Sequence, residues 1–415
     1  MDRAIVEAAI TRVHRDEWAR VVASLARRFG DLDLAEEMAA EAFATAVERW
    51  PRDGVPPNPG AWITTTANRK AIDRLRREAR RASKQQEALM LRVDSPPEPV
   101  GAVEDDRLRL LFTCCHPALS MEARVALTLR MIGGLTVAEI AHAFLVQEGT
   151  MARRITRAKD KIAAARIPYR VPEVEDLPER VAGVLAVLYL VFNEGYLASG
   201  TESEPVRHDL TAEAIRLTRL VHALLPDDGE VAGLLALMLL TEARASARVS
   251  AAGELVPLDE QDRSTWDRAM IAEGLAIVRE RLDVVARGDA VPGRYQLLAA
   301  IGAVHTSSPD ARDTDWSQVA ALYERLAAID PSAIVALNRA IAVAELDGPE
   351  AGLDAVDRLG EALDGYHAFH AARAELLRRL ARPAEARAAY DRAIELAGNS
   401  AEVAYLTGRR GQLAG

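Results

Sequence analysis

The stretch that decides the fold runs Thr136-Val-Ala-Glu-Ile-Ala141 and resumes at Glu148-Gly-Thr-Met-Ala-Arg-Arg-Ile-Thr-Arg-Ala-Lys159. Thr136 and Glu139 have the spacing of a capping box, in which the hydroxyl accepts from the N3 amide and the carboxylate reaches back to the cap. The box opens a short helix with Ile140, Ala141 and Phe144 inward. A tight turn through Leu145 and Val146 follows, then a second helix from Glu148 to about Ala165. A short helix, a brief turn and a longer basic helix form a helix-turn-helix pattern. Its second member would lie in a DNA major groove, with its N-terminal residues nearest the base edges.

Composition agrees with helix throughout. Of 415 residues, 49% are hydrophobic, 27% charged and only 5% aromatic, and the abundance of Ala and Leu favours helix over strand. The expected fold class is all-α. The longest apolar run, Val181 to Phe192, is too short to span a bilayer. Asp2, Arg3 and Glu7 interrupt any apolar core of a signal peptide, so a cytoplasmic location without membrane contact is expected. The two cysteines, Cys114 and Cys115, are adjacent and build no disulfide framework.

Charge is segregated along the chain. Within a total of −10, the segment from Trp62 to Lys84 carries a net +6, and so does the segment from Arg153 to Arg170. Two compact basic blocks in an acidic chain look like two footprints on a polyanion. Proline-rich breaks divide the sequence into units 1–90, 104–167 and 180–415, joined by linkers 91–103 and 168–179.

In the first unit, Leu32 to Trp50 repeats apolar residues with helical period up to Pro51, while Asp33, Glu36, Glu37 and Glu41 line the other face. A second helix from about Gly60 to Lys84 sets Ile63, Ala67, Ala71, Leu75 and Ala79 on one stripe, opposite Arg69, Asp73, Arg76 and Arg80. Between them, residues 51–60 are too rich in Pro and Gly for helix and are expected to form an ordered loop. The third unit is a series of amphipathic helices with weak self-similarity. Tyr323 and Tyr390 lie 67 residues apart, close to two periods of the ~34-residue tetratricopeptide repeat. Stacked helix pairs of that kind present a concave face to partners.

These motifs resemble a known family. Asp33-Leu-Ala-Glu-Glu-Met-Ala-Ala-Glu-Ala-Phe43 is similar to the core-polymerase-binding helix of bacterial sigma factors of the extracytoplasmic-function class. Pro59-Gly-Ala-Trp-Ile with Asn68-Arg-Lys-Ala-Ile-Asp-Arg-Leu-Arg-Arg77 resembles the next helix of that domain, which engages the −10 promoter element. The helix-turn-helix resembles the module that reads the −35 element. Phe112-Thr-Cys-Cys-His-Pro-Ala-Leu119, Phe192-Asn-Glu-Gly-Tyr196 and the stretch from Gly293 to Trp316 resemble a branch with a long C-terminal tetratricopeptide-like extension.

The resemblance implies a sigma region 2 helical bundle in 1–90, a region 4 helix-turn-helix in 104–167 and a regulatory helical extension in 180–415. Trp62, Asn68, Arg69, Asp73, Arg74, Arg76 and Arg77 would then sit against the −10 element. Thr150, Met151, Arg153, Arg154, Arg157 and Lys161 would face the −35 duplex, where Arg reads guanine and Lys holds phosphate. Asp33, Glu36, Glu37 and Glu41 would grip a basic or polar surface of core RNA polymerase. The implied partners are core RNA polymerase, double-stranded and melted promoter DNA, and a protein partner of the C-terminal unit, with no cofactor.

An enzyme fits poorly. Glu194 with Tyr196, the His367/His370 pair and Cys114, Cys115 and His116 assemble no nucleophile, phosphate loop or complete metal-ligand set; catalytic and metal sites are expected to be none. The other rival is a one-component helix-turn-helix regulator with a sensing helical domain, which leaves the acidic and basic motif of residues 32–80 without a purpose.

Overall fold

The computed structural model describes residues 3–82, 106–144, 146–197, 206–250, 255–398 and 400–413. The expected linker 91–103, Lys84 and the turn residue Leu145 lie outside them. The described residues are helical, with a single isolated bridge between Val249 and Leu255 in place of any strand. The chain divides into two compact units, Met1–Leu190 and Val191–Gly415.

The first unit is built on α1 (Arg3–Phe29), α2 (Leu32–Asp53), α3 (Pro59–Ala82), α4 (Asp106–Cys114), α5 (Met121–Thr128), α6 (Val137–Ala143) and α7 (Glu148–Ala164), with the start of α8 (Leu177–Tyr196). Asp31 caps α2, its carboxylate accepting from the Leu34 amide at 3.0 Å. Pro51 does not end the helix. It sits in the last turn, and the helix stops at Gly54, whose φ of +85° only glycine adopts freely. The loop therefore shrinks to 54–58, and α3 starts with Asn58 accepting from the Ala61 amide and Pro59 in the first helical position.

The spine of this unit is α1, a helix not singled out from the sequence. Its Trp18, Val21, Val22 and Leu25 are buried, and it packs against α2, α3, α4 and the π-helical turn Leu129–Gly133. Residues expected as two separate units, 1–90 and 104–167, thus share one compact body. The proline-rich break after α7 is anchored as well: the Tyr169 hydroxyl lies 2.9 Å from the Ala23 carbonyl and 3.0 Å from that of Asp106. Burial raises the Tyr169 phenol well above its usual range, so it stays protonated and able to donate.

The second unit continues through α9 (His208–Leu224), α10 (Gly229–Glu242), α11 (Ala245–Arg248), α12 (Arg268–Ala286), α13 (Arg294–Ser307), α14 (Trp316–Ile329) and α15 (Ala333–Leu346). It ends with α16 (Pro349–Asp357), α17 (Gly360–Leu363), α18 (His367–Arg379), α19 (Pro383–Leu396) and α20 (Ser400–Gly411). Its core is a succession of neighbouring clusters. Ala236, Leu240, Val278 and Ala299 join α10, α12 and α13; Leu297, Ile301, Val319, Leu326 and Val335 join α13 to α15; Leu337, Leu353, Phe369, Leu377 and Tyr390 join α15 to α19. Helices that bury themselves only against near neighbours make a stack. Leaving aside the four-residue α17, Tyr390 lies four helices beyond Tyr323, as two helix-pair repeats require.

Glu230, in the first turn of α10, accepts from the Tyr295 and Gln296 amides, both at 3.1 Å. The α13 helix is thereby capped by a carboxylate from another helix, which accounts for the Gly293-Arg-Tyr-Gln motif: a side chain at 293 would collide with Glu230.

His305, on α13, is edge-on to Trp316 with ring centroids 5.4 Å apart. Burial, with Arg244 and Arg263 nearby, lowers its pKa to about 4. The unfolded chain therefore binds this proton between about pH 6.5 and 4 while the folded chain does not. This group contributes fully above that window, and its contribution is lost as pH falls through it. Going from pH 7 to pH 5 should cost about 2 kcal/mol of unfolding free energy. Denaturant titrations at both pH values should show His305→Phe losing less on acidification than the wild type.

Candidate polymerase and nucleic-acid interfaces

The capping box of α6 forms as its spacing predicts: the Glu139 amide donates to Thr136 Oγ1 at 3.1 Å, and Glu139 Oε2 accepts from the Thr136 amide at 2.7 Å. The following helix, α7, sorts its residues onto three faces. Met151, Ile155, Ala158 and Ile162 are buried in its core stripe. Arg153, Arg157 and Lys161 are exposed, Thr150 and Arg154 half-buried. Together with Leu119, Ser120 and Ala123, these five line an open groove of about 460 Å³. Met151 is the exception among the residues expected at the DNA. It is fully buried, because it lies four residues before Ile155 on the apolar stripe, and its thioether packs the module instead of facing the groove.

The third face of α7 carries Lys159. Its ammonium lies 2.7 Å from Asp33 Oδ1 and also pairs with Glu36, although the side chain is only 9% exposed. Burial alone would lower the Lys159 pKa; Glu36 and Asp33 outweigh burial and hold it above its usual value. Glu36 takes a second cation, Arg130 Nε at 2.6 Å, from the π-helical turn. Arg130 Nη1 donates to the Leu135 carbonyl, its guanidinium lies over the Trp18 ring, and its own carbonyl accepts from the Trp18 indole at 3.2 Å. Gly134, at φ +76°, permits this approach, since a Cβ there would crowd His14 and Trp18 at 3.0 Å.

The remaining α2 carboxylates face α3. Glu37 pairs with Arg74, and Glu41 with Lys70 at 3.1 Å. All four carboxylates of the acidic face are thus ion-paired, two towards α7 and the π-turn and two towards α3. On α3, Arg69, Asp73, Arg76 and Arg77 are exposed. Arg74 is held by Glu78 as well as by Glu37. Asn68 bridges within the bundle, accepting from Arg28 at 3.1 Å and donating to the Thr64 carbonyl. Trp62 is half-buried, its ring 5.5 Å from buried Trp50 in an edge-to-face contact.

The other chemistry-bearing residues are engaged structurally. Cys114 and Cys115 are buried; burial raises both thiols, Cys115 to about 11, and Cys115 Sγ lies 3.3 Å from Thr128 Oγ1. His367 pairs with Glu402, and His370 with the Asp364 carbonyl. No group of three or more metal-ligating residues forms among the described residues. None of the described helices is long and apolar enough to cross a membrane.

Comparison with known proteins matches the same segments. The Sigma-70 region 2 model covers residues 15–81 and the Sigma-70 region 4 model residues 109–162. A family of unknown function, DUF6596, covers residues 180–282. The two sigma-70 regions, together with the sigma-factor relative below, support a sigma-70 factor of the extracytoplasmic-function type with a C-terminal helical extension. Members of that family are non-enzymatic transcription initiation factors, with core RNA polymerase and promoter DNA as partners. An uncharacterized protein of Rhizobium meliloti (strain 1021) is 45% identical over 393 residues, 93% of this chain and 92% of its own length. The ECF RNA polymerase sigma factor SigK of Mycobacterium ulcerans (strain Agy99) is 28% identical over 163 residues, covering 36% of this chain and 85% of that protein. No solved structure matches. The region 2 match supplies the purpose that a one-component regulator would leave unassigned to residues 32–80.

The burial of Met151 separates packing from recognition. Met151→Ala should cost about 2–5 kcal/mol in unfolding free energy, whereas the volume-conserving Met151→Leu should cost under about 1.5 kcal/mol. Binding of Met151→Leu to a −35 duplex should match the wild type in an equilibrium titration.

Proposed function

We propose that the two basic surfaces divide promoter recognition and that the C-terminal unit modulates the sigma domain in cis. The α7 groove takes the −35 duplex. Thr150, Arg153 and Arg154 lie nearest the helix start and so nearest base edges, and Arg157 and Lys161 lie further along the phosphates. On α3, the exposed Arg69, Arg76 and Arg77 hold the backbone of a strand being separated at the −10 element, beside Trp62, Asn68, Asp73 and Arg74. The 54–58 loop is adjacent to trap an unstacked base, offsetting an unpairing cost of about a few kcal/mol. The α2 carboxylates Asp33, Glu36, Glu37 and Glu41 face a basic surface of core polymerase, where complementary charge sets register and on-rate.

The observation that carries this reading is the partition of α7. Its cations line an open groove while its apolar residues are buried, so a solvated charge run is sorted into a surface fit for a polyanion.

Arg154→Ala should weaken promoter binding by about 1–3 kcal/mol when the −35 sequence is intact and much less when it is scrambled. Footprinting on both templates measures this; an equal loss on each would reduce Arg154 to a phosphate contact. For the C-terminal unit, a chain ending after about residue 175, ahead of α8, should give promoter output different from that of the full chain in transcription with purified core. Equal output and equal polymerase affinity would remove the proposed regulation.

A further inference from the structure

We infer that the described arrangement is a closed form of the sigma domain, in which α7 and the π-turn occupy part of the surface that α2 would offer to polymerase. The inference rests on the assignment of the α2 carboxylates to polymerase binding. Glu36 is the centre of the closure. Its Oε1 is taken by Arg130 and its Oε2 by Lys159, leaving the side chain 13% exposed. Asp33, one turn earlier, shares the Lys159 ammonium. The cations come from 94 and 126 residues away in the sequence, so the contact joins region 2 to region 4 and is not a local helix pair.

Two further observations give the closure direction. First, Lys159 stands on a different face of α7 from Arg153, Arg157 and Lys161, which stay exposed beside their groove. The −35 surface is therefore open while Glu36, in the acidic surface, is shut. Second, the covering charges are cations, the same chemistry that a polymerase surface suited to these carboxylates must present. A lysine and an arginine of this chain thus stand in for the partner's basic groups, and one Glu36 carboxylate cannot satisfy both sets at once.

The seam is also suited to reversal. Charges withdrawn from water regain little net free energy from pairing, so exchanging one set of cations for another is nearly balanced. The apolar component at Trp18, His14 and the π-turn keeps the closed form as the resting state. Opening must expose Glu36 and release Asp33 from Lys159, and it frees α7 to follow the promoter independently of α2.

The test uses the full chain and a zero-length carbodiimide, which joins an amine to a carboxylate only in direct contact. In free protein, peptide mass spectrometry should find Lys159 joined to Asp33 or Glu36. Recovery of the unmodified Glu148–Ala164 peptides in both digests serves as internal reference. In the complex with core polymerase, the Lys159 cross-link should disappear while that recovery persists. Lys159→Met, which removes the clasp without adding a competing charge, should bind core polymerase about threefold or more tightly, because a larger fraction of the chain is already competent. A Lys159 cross-link that is missing from free protein, or that survives in the complex, overturns the inference, as does unchanged or weaker affinity of a folded Lys159→Met. The underlying assignment is checked separately by Glu37→Ala with Glu41→Ala, which lie outside the clasp. If those leave polymerase affinity unchanged, the acidic face itself is misassigned, whatever the cross-link shows.

Discussion

Glu36 is held between Lys159 and Arg130, whose guanidinium lies over the Trp18 ring, and the architecture of the first compact unit follows from that arrangement. A carboxylate withdrawn from water is tolerated only where cations and hydrogen bonds replace its hydration. Here the replacement comes from two elements far along the chain. The π-turn delivers Arg130 because its carbonyl is fixed by the Trp18 indole, and α7 delivers Lys159 because its apolar stripe is seated on α5 and α6. Moving either element would return Glu36 to water or leave it to another cation. The relative placement of the two promoter-reading modules is thus constrained by electrostatics at one residue as much as by apolar packing along α1.

That constraint gives the basic blocks unequal standing. Seven cations between Arg153 and Arg170 read from the sequence as one surface, yet folding assigns them separate work. Arg153, Arg157 and Lys161 face solvent by a groove, while Lys159 turns inward to α2. Similarly, Arg74 and Lys70 of the α3 block neutralise Glu37 and Glu41, leaving Arg69, Arg76 and Arg77 as the exposed cations among the described residues of that helix. Net charge per segment overstates what is presented to a polyanion, because ion pairs across helices consume part of it.

The helices themselves were legible wherever local chemistry sets them. The capping box at Thr136 and Glu139, the apolar period of α2 and the stripe Ile63, Ala67, Ala71 on α3 each depend on neighbours within a few residues. Three features were not legible, for related reasons. Pro51 was expected to stop a helix but occupies its last turn, where it withholds one amide from the Val47 carbonyl and the helix closes three residues later at Gly54. Met151 looked like a recognition residue because its neighbours are, though its position four before Ile155 places it in the core. The Arg130–Glu36 and Tyr169–Ala23 contacts span 94 and 146 residues, and a single sequence offers no pattern at that range. Trp18 was the available clue, since with Val21, Val22 and Leu25 it completes an apolar stripe that needs a partner.

In the second unit, the carboxylate of Glu230 reaches from α10 to the first amides of α13. Those amides cannot be opened to solvent by fraying of α13 alone while the carboxylate stays in place. Their hydrogen exchange is therefore tied to separation of the two helices, and the start of α13 and the start of α10 should report one shared opening event in place of two local ones.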